Sequence, residues 1–149
     1  MPAAILRDKI PPIIRYEHTP SYDLNQSAFL RVKYGLIDAN TRLDWISKLQ
    51  KNWDSYGAEP PSQKAIEASR QILAELAPQL ILPTTIVPSA DGGVSTYFIV
   101  AQRSAYIETY NDGSQALVLY DRAGHSDVLE IGSELPVSAV GEKILGYLG

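Results

Sequence analysis

The side chains that could do chemistry in this chain are few: two histidines, His18 and His125, no cysteine, and carboxylates scattered along its 149 residues. A Ser-His-Asp arrangement needs a histidine beside an activated serine, and neither histidine has a G-x-S-x-G elbow nearby. Both are read as exposed loop residues. The absence of cysteine removes disulfides, thiol nucleophiles and Cys-based zinc sites, and fits a reducing compartment. A metal-dependent nuclease is the more serious alternative, since Asp91 precedes a strand and Glu108 and Glu130 lie on strands. Such sites need clustered carboxylates, and commonly a lysine to steady developing charge. No lysine occurs between Ala65 and Glu142. Asp91 is better explained by its "DGG" setting, where Asp starts a turn and the glycines supply unusual dihedrals. Phosphate-cradling loops of the G-x-x-x-x-G-K-[ST] or G-x-G-x-x-G type are absent. The sequence therefore assigns no catalytic residue, metal or cofactor.

Recognition chemistry is better represented. The stretch Asn52 to Ser62, "NWDSYGAEPPS", crowds Trp53, Asp54, Tyr56 and Glu59 around one glycine and two prolines. Each position has a structural use. Trp53 continues an apolar stripe, Asp54 accepts from nearby backbone N–H groups, and Gly57 takes a left-handed reversal. Pro60 and Pro61 hold off the next helix until Ser62 caps it. The same residues also present an aromatic and two carboxylates on a rigid loop, a suitable protein contact. A second candidate surface comes from "AYIETYN", where Tyr106, Glu108 and Tyr110 alternate against Ile107 and Thr109. Tyrosine gives large contact area at low entropic expense.

The elements that position these residues follow from periodicity. Residues 1–36 read as an arm, partly extended. Prolines 2, 11, 12 and 20 break helix, and "AFLRVKYGLI" (28–37) partly alternates, as an edge strand would, or is a segment that docks on the domain. In 38–53, Leu43, Ile46, Leu49 and Trp53 recur at helical steps, with Asp38 or Asn40 as the N-cap. In the second helix Ala65, Ile66, Ser69, Ile72, Leu73 and Leu76 form one stripe, which Pro78 stops. From Pro83 the period becomes two, through "TTIVPS", "VSTYFIVA", "AYIETYN", "QALVLYD" and "SDVLEI". The turns "ADGG", "NDGS" and "RAGH" separate these strands, and Asp-Gly is a strong hairpin signal. Strands joined so tightly are antiparallel neighbours. "SAVGEKILGYL" closes the chain as a helix. The predicted class is α+β: a meander of about four to five strands packed against two or three helices, in one domain spanning 37–149.

"NWDSYGAEPPS", followed by "AIEASRQILAEL" and later by "PSADGGV", resembles a family of small bacterial and phage-associated proteins of uncharacterised activity. Its members share an N-W-D-x-Y-G-A-x-P signature, then a helix, then P-x-x-D-G-G before a strand. The resemblance covers about Leu43 to Gly113. Where the family carries a Trp-containing strand after the glycines, this chain has "STYFIV". The resemblance implies a regulatory, antitoxin-like or immunity-like protein of a mobile element.

Charge separates two readings of function. Residues 84–135 hold seven acids and two bases, a balance of −5, whereas residues 1–36 hold five bases and three acids, a balance of +2. A nucleic-acid binder places a basic footprint on its folded face. Here that part is acidic, so the leading expectation is a non-enzymatic protein-interaction module with a protein partner. The alternative is a nucleic-acid-binding or -processing accessory factor that uses the basic arm. Tyr97, Tyr106, Tyr110 and Tyr120 are numerous enough for a stacking platform, but such platforms need a positive groove and the acidic sheet speaks against one. Self-association through the arm or a sheet edge is the other partner arrangement considered. The start of the sequence lacks a signal-peptide run, and no apolar stretch nears the about 20 residues of a membrane span. A soluble, cytoplasmic protein is expected.

Overall fold

The computed structural model describes residues 24–149, so the expectations for residues 1–23, including most of the arm and His18, lie outside them. Two units are distinguished, residues 1–31 and 32–149, and the packing below belongs to the second. Helix α1 runs Leu24–Ile46. This corrects the expected strand at 28–37 and the expected helix start at Asp38 or Asn40. The partial alternation of 28–37 competes with a stronger signal, Leu36, Ala39, Leu43 and Ile46 at steps of three and four. These four residues pack into one cluster. Burial of such a stripe decides between helix and strand where local propensity is ambiguous. Gly35 also has a packing reason: a Cβ there would meet the Leu82 side chain at 2.5 Å.

Helix α2, Gln63–Leu76, buries all six residues of its predicted stripe. Ser62 caps it, its Oγ accepting from the Ala65 N–H at 3.0 Å. Pro78 falls in a 3₁₀ turn, Ala77–Gln79, which ends the helix. Arg70 on the flank of α2 donates to Asn40 Oδ1 at 2.7 Å and pairs with Asp44, linking α2 to α1.

Five strands follow: β1 Thr85–Pro88, β2 Val94–Val100, β3 Arg103–Thr109, β4 Gln115–Asp121 and β5 Ser126–Glu130. They form one antiparallel meander in the order β1-β2-β3-β4-β5. After a second 3₁₀ turn, Val137–Ala139, helix α3 spans Val140–Leu148. The class is α+β, with three helices and five strands among the described residues.

Register decides which side chains face the helices. Ile86, Thr96, Ile107, Leu117 and Leu129 lie opposite one another in a row across the sheet. That side meets Ile72 and Leu76 of α2 and Val140 and Ile144 of α3, around Phe98, Ala105, Ile107, Leu117 and Leu119. A second cluster joins Ala39, Leu43 and Ile46 of α1 to Ile66 and Leu73 of α2, with Ile86 and Val94 from the sheet. Both clusters lie on the same side of the sheet.

Thr96 sits in that core row, fully buried, and its Oγ1 finds no partner among the described residues. A buried hydroxyl without a hydrogen bond opposes folding by about 1–3 kcal/mol. Replacement by the isosteric Thr96→Val is expected to raise stability by about 1 kcal/mol in a denaturant melt. A loss of stability would show that the hydroxyl is hydrogen-bonded in the folded protein.

Candidate functional site

The "NWDSYGAEPPS" corner is built from backbone reversals that its own side chains satisfy. Asn52, Ser55 and Gly57 adopt φ of 69°, 66° and 87°. Such geometry is uncommon away from glycine and needs local support. Asn52 supplies it twice: its N–H donates to the Ala58 carbonyl at 2.8 Å, and its Oδ1 accepts from the Gly57 N–H at 2.7 Å. Asp54 Oδ1 accepts from the N–H groups of Tyr56 at 2.9 Å and Ala58 at 3.1 Å. The Trp53 indole donates to the Glu59 carbonyl at 3.1 Å. Trp53 is half-buried; α1 has already ended at Ile46, so Trp53 does not continue the helical stripe. Glu59 is exposed and pairs with Lys51 at 3.4 Å, an arrangement of small energetic weight at a surface. Tyr56 alone has no structural use, with 93% of its surface exposed.

One residue outside the motif holds the corner to the sheet. Asn111, at the tip of the β3–β4 hairpin, accepts from the Ser62 N–H at 2.7 Å and donates from Nδ2 to the Pro60 carbonyl at 3.2 Å. Its own carbonyl accepts from Ser62 Oγ at 2.6 Å. The cap of α2 is thus hydrogen-bonded to its helix and to the hairpin at once. The "DGG" turn joins the same assembly: a Cβ on Gly92 would lie 2.7 Å from Asn111 Nδ2, and one on Gly93 only 1.9 Å from the Thr109 carbonyl. Gly92 and Gly93 have φ of 94° and 104°, so space and dihedral both demand glycine. Asp112 orders the hairpin tip by accepting from the amide and hydroxyl of Ser114, which hold its carboxyl below the usual carboxylate range.

The sheet face away from the helices carries the second group of candidates. Thr85, Tyr97, Tyr106, Val118 and Val128 form its central row. On one side lie Ser95, Glu108, Ala116 and Glu130; on the other lie Ile99, Ser104, Tyr120 and Ser126. The Tyr97 and Tyr106 rings are 5.0 Å apart, and Tyr106 meets Tyr120 edge-on at 5.9 Å. Ser95, Ser104 and Ala116 are small and buried beside these rings. Glu108 is held by Ser95, whose Oγ donates to it at 2.5 Å. Burial first, then the neighbouring phenols and Glu108, raise the Tyr97 and Tyr106 hydroxyls above their ordinary pKa. They remain neutral donors at physiological pH. Among the described residues no element covers this face, and Ile99 and Val128 are exposed on it.

The predicted site residues therefore fall into two places. Trp53, Asp54, Tyr56 and Glu59 share the corner, while Tyr106 and Glu108 share the open face. Tyr110 lies at the end of β3, next to Asn111, and is exposed. Alternation within β3 was enough to pair Tyr106 with Glu108. Tyr97 and Tyr120 join them only through register, which no local pattern reveals. Asn111 was read as a turn residue, and the tie to Ser62, 49 positions earlier, has no local signal. Among the described residues no three of His, Asp and Glu gather as a metal site would require, and no helix is long and apolar enough to cross a membrane.

Comparison with protein-family models, curated proteins and solved structures finds no match in any of the three.

Asn111→Ala removes two side-chain hydrogen bonds and orphans the Ser62 N–H, so stability is expected to fall by about 2 kcal/mol. Tyr56→Ala is expected to change it by less than about 0.5 kcal/mol, as surface substitutions do. Urea melts of both variants check the contrast. Equal effects would mean that the tie to the hairpin does not hold the corner.

Proposed function

We propose that the protein is a non-enzymatic protein-interaction module that takes its partner on the open tyrosine face of the sheet. One observation carries this reading: among the described residues all three helices pack on the other side, and no element covers the continuous aromatic and aliphatic row. Contiguous exposed apolar surface on a soluble domain marks an interaction site. Tyrosine is enriched where one surface must be both greasy and hydrogen-bonding. Glu108 and Glu130 flank the row, which favours a partner presenting cationic and apolar groups together. Lysine or arginine over the faces of Tyr97 or Tyr106 would add cation–π attraction.

The acidic flank disfavours nucleic acid on this face, because phosphate recognition requires positive charge. The alternative reading, a nucleic-acid accessory factor, draws on bases within residues 1–36, most of which precede the described residues. The resemblance of the corner motif supports placing the protein among regulatory, antitoxin-like or immunity-like proteins of bacteria, phages or mobile elements. Such proteins act by binding, which agrees with a face built for contact.

The test is co-purification from the cells of origin using the native chain and the double variant Tyr106→Ser/Tyr120→Ser. A defined protein retained by the native chain is expected to be lost, with at least about 2 kcal/mol of affinity removed. The melting temperature is expected to stay within a few degrees. Retention of the partner by the double variant would refute the face as the contact. Retention together with loss by Tyr56→Ala would move the contact to the corner.

A further inference from the structure

Strand β5 ends the sheet, and its outer edge has no partner among the described residues. Its ladder to β4 shows which backbone groups point outward. The Asp121 N–H donates to the His125 carbonyl, and the Ile131 N–H to the Gln115 carbonyl. The odd-numbered residues of β5 therefore bond inward, and Ser126, Val128 and Glu130 turn their N–H and C=O groups out. Glu130 is already engaged: its N–H donates to Glu134 Oε1 at 3.1 Å, and its carbonyl accepts from the N–H groups of Glu134 and Leu135. Ser126 and Val128 remain, two donors and two acceptors spaced as a strand repeat requires.

Beside this edge, on the helix side of the sheet, lies a groove of about 590 Å³. Its walls include Leu119 of β4, Leu135, and Tyr147 of α3; its rim carries Asp127 and Glu142 with one lysine, Lys143, and Asp121, which is already paired with His125 at 3.2 Å. Asp127 is opposite Leu119 in the ladder, so it projects from an edge strand toward the side that elsewhere holds the core. A charge pointing inward from an edge discourages indiscriminate strand pairing. It also opposes a second copy of this chain: two β5 strands paired antiparallel through Ser126 and Val128, the outward groups still free, would set Asp127 against Asp127, and like charges directly opposite are destabilising.

We infer that the β5 edge is a strand-addition site for an extended segment of a partner protein that carries a lysine or arginine. The segment extends the sheet by hydrogen bonds to Ser126 and Val128 and places its cation in the acidic groove. Main-chain bonds provide binding and the alternate side chain provides selection, as in strand-addition complexes generally. This rests on the reading of the protein as a protein-binding module and names a second contact, made by the backbone edge of β5 and the groove on the helix side rather than by the tyrosine side chains.

The probes are two capped, fluorescently labelled heptapeptides, alternating threonine with lysine or threonine with glutamate. They are titrated into the full chain at physiological ionic strength, with amide hydrogen exchange measured in parallel. The lysine peptide is expected to bind saturably and slow exchange at Ser126 and Val128, with the glutamate peptide at least about tenfold weaker. Val128→Pro removes one outward N–H without touching the inward ladder, which an edge strand accepts. It is expected to weaken the lysine peptide about tenfold or more, and Asp127→Asn severalfold. Tyr106→Ser is expected to leave peptide affinity unchanged, so failure here and failure of the tyrosine face are distinguishable. Equal binding of both peptides, full affinity in Val128→Pro, or protection confined to β2 and β3 with none at Ser126 and Val128 would overturn the inference. So would self-association of the native chain that Val128→Pro abolishes.

Discussion

The arrangement depends on the pair of hydrogen bonds by which Asn111 grips the start of α2. Ser62 is the N-cap of that helix, and Asn111 binds both its N–H and, through the main chain, its hydroxyl. A helix start is otherwise rich in unsatisfied donors. Here the hairpin tip helps to satisfy them, and in doing so it sets where α2 begins over the sheet. From that start the stripe from Ala65 to Leu76 lies against β1 to β4, and Arg70 carries the positioning on to α1 through Asn40 and Asp44. The glycines at 92 and 93 are needed because the β1–β2 turn packs under the same asparagine and against the Thr109 backbone.

With the helices committed to one side, the other side of the meander is left without a layer among the described residues. A two-layer domain of this kind ordinarily dresses the solvent side of its sheet in short polar residues. This sheet does so only in part. Small residues (Ser95, Ser104 and Ala116) make room for three tyrosine rings, and valines at 118 and 128 extend the row toward the β5 edge. The surface has the aromatic character of an interface core, and Glu108, fixed by Ser95, gives it a sign. The corner motif contributes differently. Most of its polar groups are used to hold three left-handed residues in place, which leaves Tyr56 as its outward feature.

Much of the fold was legible because several signals agreed. The stripe of α2, the cap at Ser62, the period-two strands and the Asp-Gly turns pointed to the same architecture, and the five-strand meander follows from them. The start of α1 was not legible, since the alternation of "AFLRVKYGLI" masked a stripe that only begins at Leu36. Trp53 was misplaced because its spacing continued a helix that the chain had already left. The candidate surface was half-readable. Alternation put Tyr106 beside Glu108, but the meeting of Tyr97, Tyr106 and Tyr120 is a matter of register between strands. Register depends on hairpin lengths and core packing together, and so does the groove beside Asp127. The tie from Asn111 to Ser62 is the plainest case of a contact with no local trace.

Site-specific photo-crosslinking in the cells of origin decides whether the proposed contact, the open tyrosine face, meets the partner. A benzophenone amino acid is placed at Tyr106, at Tyr120, or, as a control, at Gln71, which is exposed on α2. Tyr106 and Tyr120 are expected to give an adduct with the same defined protein, and Gln71 is not. Adducts from Gln71 equal to those from Tyr106 and Tyr120, or none above background from either tyrosine position, would contradict the proposed contact.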